Sequence, residues 1–215
     1  MVSAMTTHSP HPDTRERLLA HGLMLASKVG LRGLSVRGVC QAAGVNTGSF
    51  VYHFGHRERF AAELIEHWYA PLLGQLQLEF DQQGPPVQRL QAMMRQLMAH
   101  LLAHRALISQ IVLDAASGEA AVVGFMRSLG PRHPLLLLKC IEQAQKDRSL
   151  VRTDPAHQML FLMASVGLPV VLQGLMAGRR MLPEVFHQAM AAHAADPASL
   201  EQRLQWALKG LRPPE

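Results

Sequence analysis

The spacing of apolar residues predicts α-helices along almost the whole chain. Apolar positions recur at intervals of three and four, and no segment alternates apolar and polar residues for the length of a half-buried strand. Glycine, proline and capping residues punctuate these segments, most clearly at Gly130-Pro131 and Asp154-Pro155. The sequence therefore predicts an all-α protein.

The first 80 residues are predicted to form four helices, of which the second and third are short and the fourth is long. The predicted elements are a helix from about Thr14 to Val29 with the apolar stripe Leu18, Gly22, Leu25, Ala26 and Val29 and the C-cap Gly30, a helix VRGVCQAA capped by Ser35 and ended by Gly44, a helix TGSFVYHF capped by Asn46, and a helix from near Arg57 toward Phe80.

The rest of the chain predicts six further helices, in the ranges 86–104, 105–117, 119–129, 132–148, 155–177 and 197–211. We expect three regions from this pattern. Residues 1–13 form a polar, flexible arm, residues 14–60 a small helical domain, and residues 61–215 a larger helical domain.

The second and third helices are predicted to form a helix-turn-helix. Val39, Ala43, Val45 and Phe50 are spaced to meet in one small core, and Gly44 supplies the left-handed turn between the helices. Phe50 and Phe54, four residues apart, would share the inward face of the third helix. Its outward face would then present short or hydrogen-bonding side chains suited to the major groove of DNA, from Thr47, Gly48, Ser49, Val51, Tyr52 and His53.

The charge of the chain agrees with this prediction. Residues 1–60 contain seven Lys and Arg residues and three Asp and Glu residues, a net charge of +4, whereas the remainder contains 14 and 13, a net charge of +1. A basic segment joined to a nearly neutral body is typical of a nucleic-acid-binding domain attached to a sensor or partner domain.

Residues 14–66 resemble the N-terminal domain of the TetR family of bacterial transcriptional regulators. The resemblance rests on LSVRGVCQAAGV followed by NTGSFVYHFGHRERFAAEL. It implies that Thr47 and Ser49 face base edges or phosphates, that Tyr52 and His53 contact the DNA backbone, and that Arg37 and Arg57 bind phosphates. Helix electrostatics independently favour phosphate binding at Arg57, because a cation in the first turn of a helix opposes the helix dipole unless an anion binds there.

Three positions depart from the family pattern. Val51 stands where a tyrosine is common, His56 where a serine or asparagine cap is common, and Ala26 where the first helix usually has phenylalanine. Val51 favours an apolar contact with a thymine methyl group, so the operator sequence would be atypical.

The resemblance implies that the larger domain binds an effector and forms a homodimer through residues 155–177 and 197–211. The candidate effector pocket is Met-rich, with His100, His104 and Arg105 as polar groups that could orient a small, largely apolar guest. We expect the fourth helix to transmit binding to the DNA-binding domain. The predicted pocket residues are Trp68, Met94, Met98, His100, His104 and Phe125.

His100 and His104 lie four residues apart and could hold a metal ion on one helical face. No carboxylate or cysteine stands beside them at helical spacing, so the sequence predicts no metal site. The two histidines are then either surface residues or polar groups of the effector pocket.

Residues 158–178 carry no charge over 21 residues and have the length of a membrane span. Pro169, Gln158 and Gln173 favour instead a helix buried in a bundle or dimer interface, so no membrane association is expected. Cys40 and Cys140 lie in apolar helical patterns, which is typical of reduced buried thiols and of a cytoplasmic protein.

No enzyme motif is present in the sequence: it lacks a phosphate-binding glycine loop, a nucleophile elbow and a metal triad. We therefore predict a repressor that binds a near-palindromic double-stranded DNA operator as a homodimer and is released by an unknown small molecule, without a cofactor. The alternatives are a helical-bundle enzyme and a protein-interaction adaptor that use the same fold.

Overall fold

The computed structural model describes residues 13–177 and 183–214. Eleven α-helices and no strands occur within these two ranges, which agrees with the predicted all-α fold. The helices are α1 (Thr14–Val29), α2 (Val36–Ala43), α3 (Thr47–Phe54), α4 (Arg57–Phe80), α5 (Pro86–Ala103), α6 (Arg105–Ala116), α7 (Ala120–Ser128), α8 (His133–Lys146), α9 (Pro155–Leu175), α10 (Glu184–His193) and α11 (Pro197–Gly210).

A cluster of three phenylalanine rings holds α3 against the start of α4. The ring centroids of Phe50, Phe54 and Phe60 lie 4.8 to 5.5 Å apart, and each side chain is at most 1% exposed. Helix α1 crosses close to the same cluster, because a Cβ atom at Gly22 would lie 2.6 Å from Cζ of Phe60. The cluster therefore fixes the orientation of α3 relative to α1 and α4.

The caps predicted for α2 and α3 are present. The Ser35 hydroxyl accepts a hydrogen bond from the Gly38 amide at 3.1 Å, and the Asn46 side chain accepts one from the Ser49 amide at 2.8 Å. Gly44 ends α2 with φ 63° and ψ 40°, a left-handed conformation that costs glycine little. The Arg17 guanidinium of α1 also donates to the carbonyl oxygen of Ala43, so α1 stabilises the turn directly.

Helix α4 runs from the helix-turn-helix into the larger group of helices. It packs against α5, α7 and α8, while α9 packs against α6, α8 and α11. A second connection joins the two groups, because α1 packs along α6. The N-terminal helices are thus attached to the rest of the chain both through α4 and through the α1–α6 contact.

The predicted helices from Thr14 to Phe80 and from 86 to 177 agree with the observed ones to within two residues at either end. One prediction was wrong and one helix was missed. Val29 is 52% exposed instead of lying on the buried stripe of α1, because the stripe runs through Leu18, Gly22 and Ala26. Helix α10 was not predicted, and none of its residues is buried. The predicted arm, apart from Asp13, lies outside the described residues.

Within the described ranges, α9 is the one unbroken helix long and apolar enough to cross a membrane, and 22% of its most apolar 18-residue window is buried. Four residues spaced by four, Gln158, Leu162, Val166 and Val170, form its buried stripe. The remaining positions of this uncharged helix are partly or fully exposed.

We predict that Phe50→Ala destabilises the N-terminal helices by about 3 to 5 kcal/mol, because it removes the ring that contacts both Phe54 and Phe60. Denaturant unfolding followed by circular dichroism measures the change. Val51→Ala is the matched control, since Val51 is the next residue of α3 and is 56% exposed. Its free energy of unfolding should stay within about 0.5 kcal/mol of wild type. Equal stability of the two variants would show that the ring cluster does not hold α3.

Candidate nucleic-acid interface and ligand cavity

The side chains of α3 divide into a buried face and an exposed face. Phe50 and Phe54 occupy the buried face. On the other face Tyr52 is 86% exposed and Val51 56% exposed. Of the remaining predicted contact residues, Thr47 and Gly48 are exposed, and Ser49 and His53 are half-buried.

Arg37 lies in the first turn of α2, and its side chain is exposed. No acidic residue shares that turn, and Arg37 forms no ion pair in the described part of the chain. A cation at a helix N-terminus is repelled by the helix dipole. The Arg37 guanidinium is therefore accessible to an external anion and would gain from one.

Arg57 has other partners than the phosphate that the sequence suggests. Its Nε donates to the carbonyl oxygen of Leu34 at 2.9 Å, and its Nη2 donates to the carbonyl oxygens of Leu31 and Arg32 at 2.7 and 2.9 Å. Nη2 also lies 3.5 Å from the Glu119 carboxylate, which precedes α7. Arg57 thus anchors the α1–α2 loop in this structure, and its contact with phosphate stays a prediction.

The start of α4 is further stabilised by side chains. His56 accepts a hydrogen bond from the Arg59 amide through Nδ1 at 3.3 Å, so this histidine caps the helix where a serine or asparagine was expected. The Glu63 carboxylate binds both Arg59 at 2.9 Å and Arg15 at 2.7 Å. The cation of Arg59 is therefore paired within the protein.

A cavity of about 570 Å³ lies among helices α4 to α9. Its volume falls within the range of about 300 to 1,000 Å³ that is common for sites of small molecules. Most of its wall is made of leucine, isoleucine, valine, methionine and aromatic side chains. The exposed side chains of Leu160, Leu168 and Met126 belong to the wall, so the cavity is open to solvent beside them.

Three of the six predicted pocket residues line this cavity: Trp68, His100 and Phe125. Met94 and Met98 do not, because they lie on the buried stripe of α5 and pack into the core, where they are 2% and 8% exposed. His104 lies outside the lining set, but its ring centroid is 4.4 Å from that of His100, with the two rings tilted by 48°.

Several lining residues were not predicted from sequence. Tyr69 of α4 and His133 of α8 are hydrogen bonded across the cavity wall, with the hydroxyl oxygen 2.7 Å from Nδ1. Burial lowers the pKa of His133 to about 4, so its ring is neutral at pH 7. No sequence signal near either residue distinguishes this pair from ordinary core positions.

His100 is also neutral at pH 7. Burial, together with the neighbouring His104, lowers its pKa to about 4, and burial lowers the pKa of His104 as well. Over residues 13–177 and 183–214 no group of three His, Cys, Asp or Glu side chains is placed to hold a metal ion.

Helix α6 connects the cavity with the helix-turn-helix. Ile108, Ile111 and Val112 line the cavity, and Asp114, on the same helix, accepts a hydrogen bond from the Leu31 amide at 2.6 Å. Asp114 is 6% exposed. A Cβ atom at Gly30 would lie 2.7 Å from its carboxylate, so glycine, with φ 74°, permits this close approach.

Comparison with known proteins identifies the N-terminal helices. Residues 18–64 match the family model described as bacterial regulatory proteins, tetR family. The chain is 38% identical over 66 residues to the HTH-type transcriptional repressor NemR of Escherichia coli, which covers 31% of this chain and 33% of NemR. It is 27% identical over 154 residues to the HTH-type transcriptional repressor DhaR of Mycobacterium sp. strain GP1, which covers 70% of this chain and 77% of DhaR.

The fold of nearly the whole chain is also similar to solved structures. The reduced form of E. coli NemR superposes with a TM-score of 0.66 at 22% identity, over 94% of this chain and 100% of the NemR chain. Sequence similarity to NemR thus spans about a third of its length, whereas the fold is shared throughout. Residues 18–64 therefore match the DNA-binding domain of the TetR family, and the rest of the chain shares the fold of a solved TetR-family structure.

Proposed function

We propose that this protein is a transcriptional repressor that binds operator DNA as a homodimer and is released by a small apolar effector. The observation that carries the proposal is the connection between a ligand-sized cavity and the helix-turn-helix through α6. Similarity to the repressors NemR and DhaR supports it. No observation favours the enzyme or adaptor alternatives, and a cytoplasmic location follows from the proposed role.

The proposed DNA-binding surface consists of the exposed face of α3 and the start of α2. Thr47, Ser49 and Val51 would contact base edges or phosphates, while Tyr52, His53 and Arg37 would contact the backbone. Gly48 would allow close approach. The exposure of Tyr52 and the unpaired charge of Arg37 support this assignment. Arg57 would act mainly by holding the α1–α2 loop, whose carbonyl oxygens it binds.

The proposed dimer interface is the exposed side of α9 together with α11. Leu160, Phe161 and Leu168 of α9 are 65%, 43% and 50% exposed, and Trp206 of α11 is 63% exposed. An apolar patch of this kind marks an interaction surface, and isologous dimers are the commonest homo-oligomers. Leu160 and Leu168 also line the cavity, so a second copy on this face would cover part of its opening.

The proposed coupling runs through α6 and α7 as well as α4. Each of these helices lines the cavity and is also linked to the α1–α2 loop that precedes the helix-turn-helix, α6 through Asp114, α4 through Arg57, and α7 through the contact of the preceding Glu119 with Arg57. A ligand that moves α6 or α7 would shift the α1–α2 loop. To cause release, it must bind more tightly to the DNA-free arrangement than to the DNA-bound one.

We predict that Arg37→Ala and Tyr52→Phe weaken operator binding without altering the fold, because each removes one backbone contact. Arg37→Ala should lower the slope of log K against log salt by about 0.9 in magnitude. Fluorescence anisotropy with operator fragments selected from the source genome measures both effects. Arg127→Ala, at an exposed arginine of α7, is the matched control. Wild-type affinity for both test variants at matched salt would rule out the proposed surface.

We predict that Phe161→Glu produces monomers that lose operator affinity, because a buried unpaired carboxylate would oppose the α9 interface. A two-fold dimer would place its two α3 helices about 34 to 36 Å apart, or further for widely spaced half-sites. Sedimentation velocity at micromolar concentration measures the association state. Leu78→Glu is the control, since Leu78 of α4 is 69% exposed. A wild-type protein that sediments as a monomer would contradict the proposed dimer. Binding of that monomer to lipid vesicles would favour a membrane-associated α9 instead.

We predict that Asp114→Asn reduces the effect of the effector on operator affinity while the affinity for the effector changes less than about twofold. The amide still accepts from the Leu31 amide but lacks the charge that strengthens the bond. The wild-type effect should be about 5- to 150-fold. Operator binding is measured with and without a compound found by calorimetric screening, using Asp81→Asn, at an exposed position after α4, as control. An unchanged effect would show that α6 does not transmit binding.

A further inference from the structure

The cavity offers no charged group to a ligand. Among the described residues that line it, none carries a carboxylate, an ammonium or a guanidinium group. Arg132 stands over the rings of Tyr69 and Phe125, but its guanidinium is bound to the Glu66 carboxylate through two hydrogen bonds of 2.7 and 2.9 Å. A charged guest would lose its hydration here and gain no counter-charge.

Two buried polar atoms of lining residues lack partners. Nε1 of Trp68 and Nε2 of His100 make no hydrogen bond within the described structure. Their rings are neighbours, with centroids 4.9 Å apart. Buried polar atoms in folded proteins nearly always have a partner, so two unpaired nitrogens in neighbouring rings of the cavity wall point to a partner from outside the chain, reached by a rotation of the rings because each atom has less than 1 Å² of accessible surface.

The chemistry of the two atoms limits what that partner can be. An indole N–H can only donate, so the partner must accept from Trp68. A neutral imidazole nitrogen can donate or accept, depending on its tautomer, and burial keeps the pKa of His100 near 4. A carbonyl oxygen can accept from both nitrogens, and a hydroxyl oxygen can accept from Trp68 while donating to His100.

The other polar pair of the wall is already joined by a hydrogen bond. The Tyr69 hydroxyl and Nδ1 of His133 lie 2.7 Å apart, so only the other ring nitrogen of His133 stands outside this contact. The unpaired nitrogens of Trp68 and His100 therefore favour a guest with a polar group near them and apolar surface elsewhere.

We infer that the cavity binds an uncharged, apolar molecule carrying one carbonyl or hydroxyl oxygen, which pairs with Trp68 and His100. This inference rests on the proposed function only in treating the cavity as the effector site. It names the class of effector, and the binding of that class can be measured without DNA.

The test uses two matched series of probes. One comprises decane, 2-decanone, 1-decanol, decanoate and decylammonium, and the other comprises tetralin, 1-tetralone, 1-tetralol, tetralin-1-carboxylate and 1-aminotetralin. Calorimetry or competition with a bound fluorescent dye gives each affinity for the full-length protein. We expect one of the two carbon skeletons to bind more tightly than the other. Within that series the protein should bind the ketone or the alcohol at least about tenfold more tightly than the carboxylate or the ammonium compound, because only a neutral oxygen can pair with Trp68 and His100 without losing a charge's hydration.

Trp68→Phe keeps an aromatic ring and removes the N–H. The affinity for the ketone or alcohol should fall about threefold to tenfold, the range expected for the loss of one hydrogen bond. The affinity for the hydrocarbon should stay within about twofold of wild type. Phe186→Leu, at an exposed aromatic residue of α10, should change neither affinity. Circular dichroism confirms that both variants are folded, and His100→Phe should reproduce the selective loss.

The inference is overturned if a charged member binds as tightly as the neutral ones, if no neutral member binds more tightly than about millimolar, or if Trp68→Phe weakens hydrocarbon and ketone equally. Operator release is scored separately with the same probes. Selective binding of the ketone without release would support the inference and contradict the proposed function. If only decanoate or decylammonium released the operator, the proposed function would be supported and the inference contradicted.

Discussion

A buried hydrogen bond between α6 and the α1–α2 loop ties the two parts of the molecule together. The Asp114 carboxylate accepts from the Leu31 amide at 2.6 Å and lies against Gly30, where a side chain would not fit. Bonds to charged acceptors contribute about 1.5 to 3 kcal/mol, and more is lost when a buried partner is left unpaired. Since Ile111 of the same helix lines the cavity, α6 joins the wall of the cavity to the loop before the helix-turn-helix.

Arg57 makes the same connection from the other side. Its guanidinium binds three loop carbonyl oxygens and lies near Glu119, so the start of α4, the loop and the start of α7 share one cation. Two helices of the cavity wall are thereby linked to the helix-turn-helix by charged groups. Partly buried charges are costly to separate from their partners, which makes this junction sensitive to small displacements.

The N-terminal helices could be predicted from sequence because local signals determine them. Ser35 and Asn46 cap the short helices, Gly44 requires a left-handed turn, and Phe50 and Phe54 fall on one face. The partners of Arg57 could not be predicted, because they are backbone oxygens more than twenty residues away. A first-turn arginine has the same sequence pattern whether it binds a phosphate or a loop.

The cavity was only partly predictable, since its wall is assembled from six helices. Trp68, His100 and Phe125 line it and could be proposed from sequence because large or polar groups stand out in apolar helices. Met94 and Met98 pack into the core instead, because apolar side chains on different faces of α5 look alike in sequence whether they border a cavity or the core. The Tyr69 and His133 pair joins residues 64 positions apart, which no local pattern reveals.

Thermodynamic linkage gives the most direct test of the connection between cavity and helix-turn-helix. The affinity of one bound compound, such as 2-decanone or 1-tetralone if it binds, is measured by calorimetry for the free protein and for the protein saturated with operator. We predict that operator lowers this affinity by the same factor by which the compound lowers operator affinity. Equal affinities for free and operator-bound protein would contradict the proposed coupling.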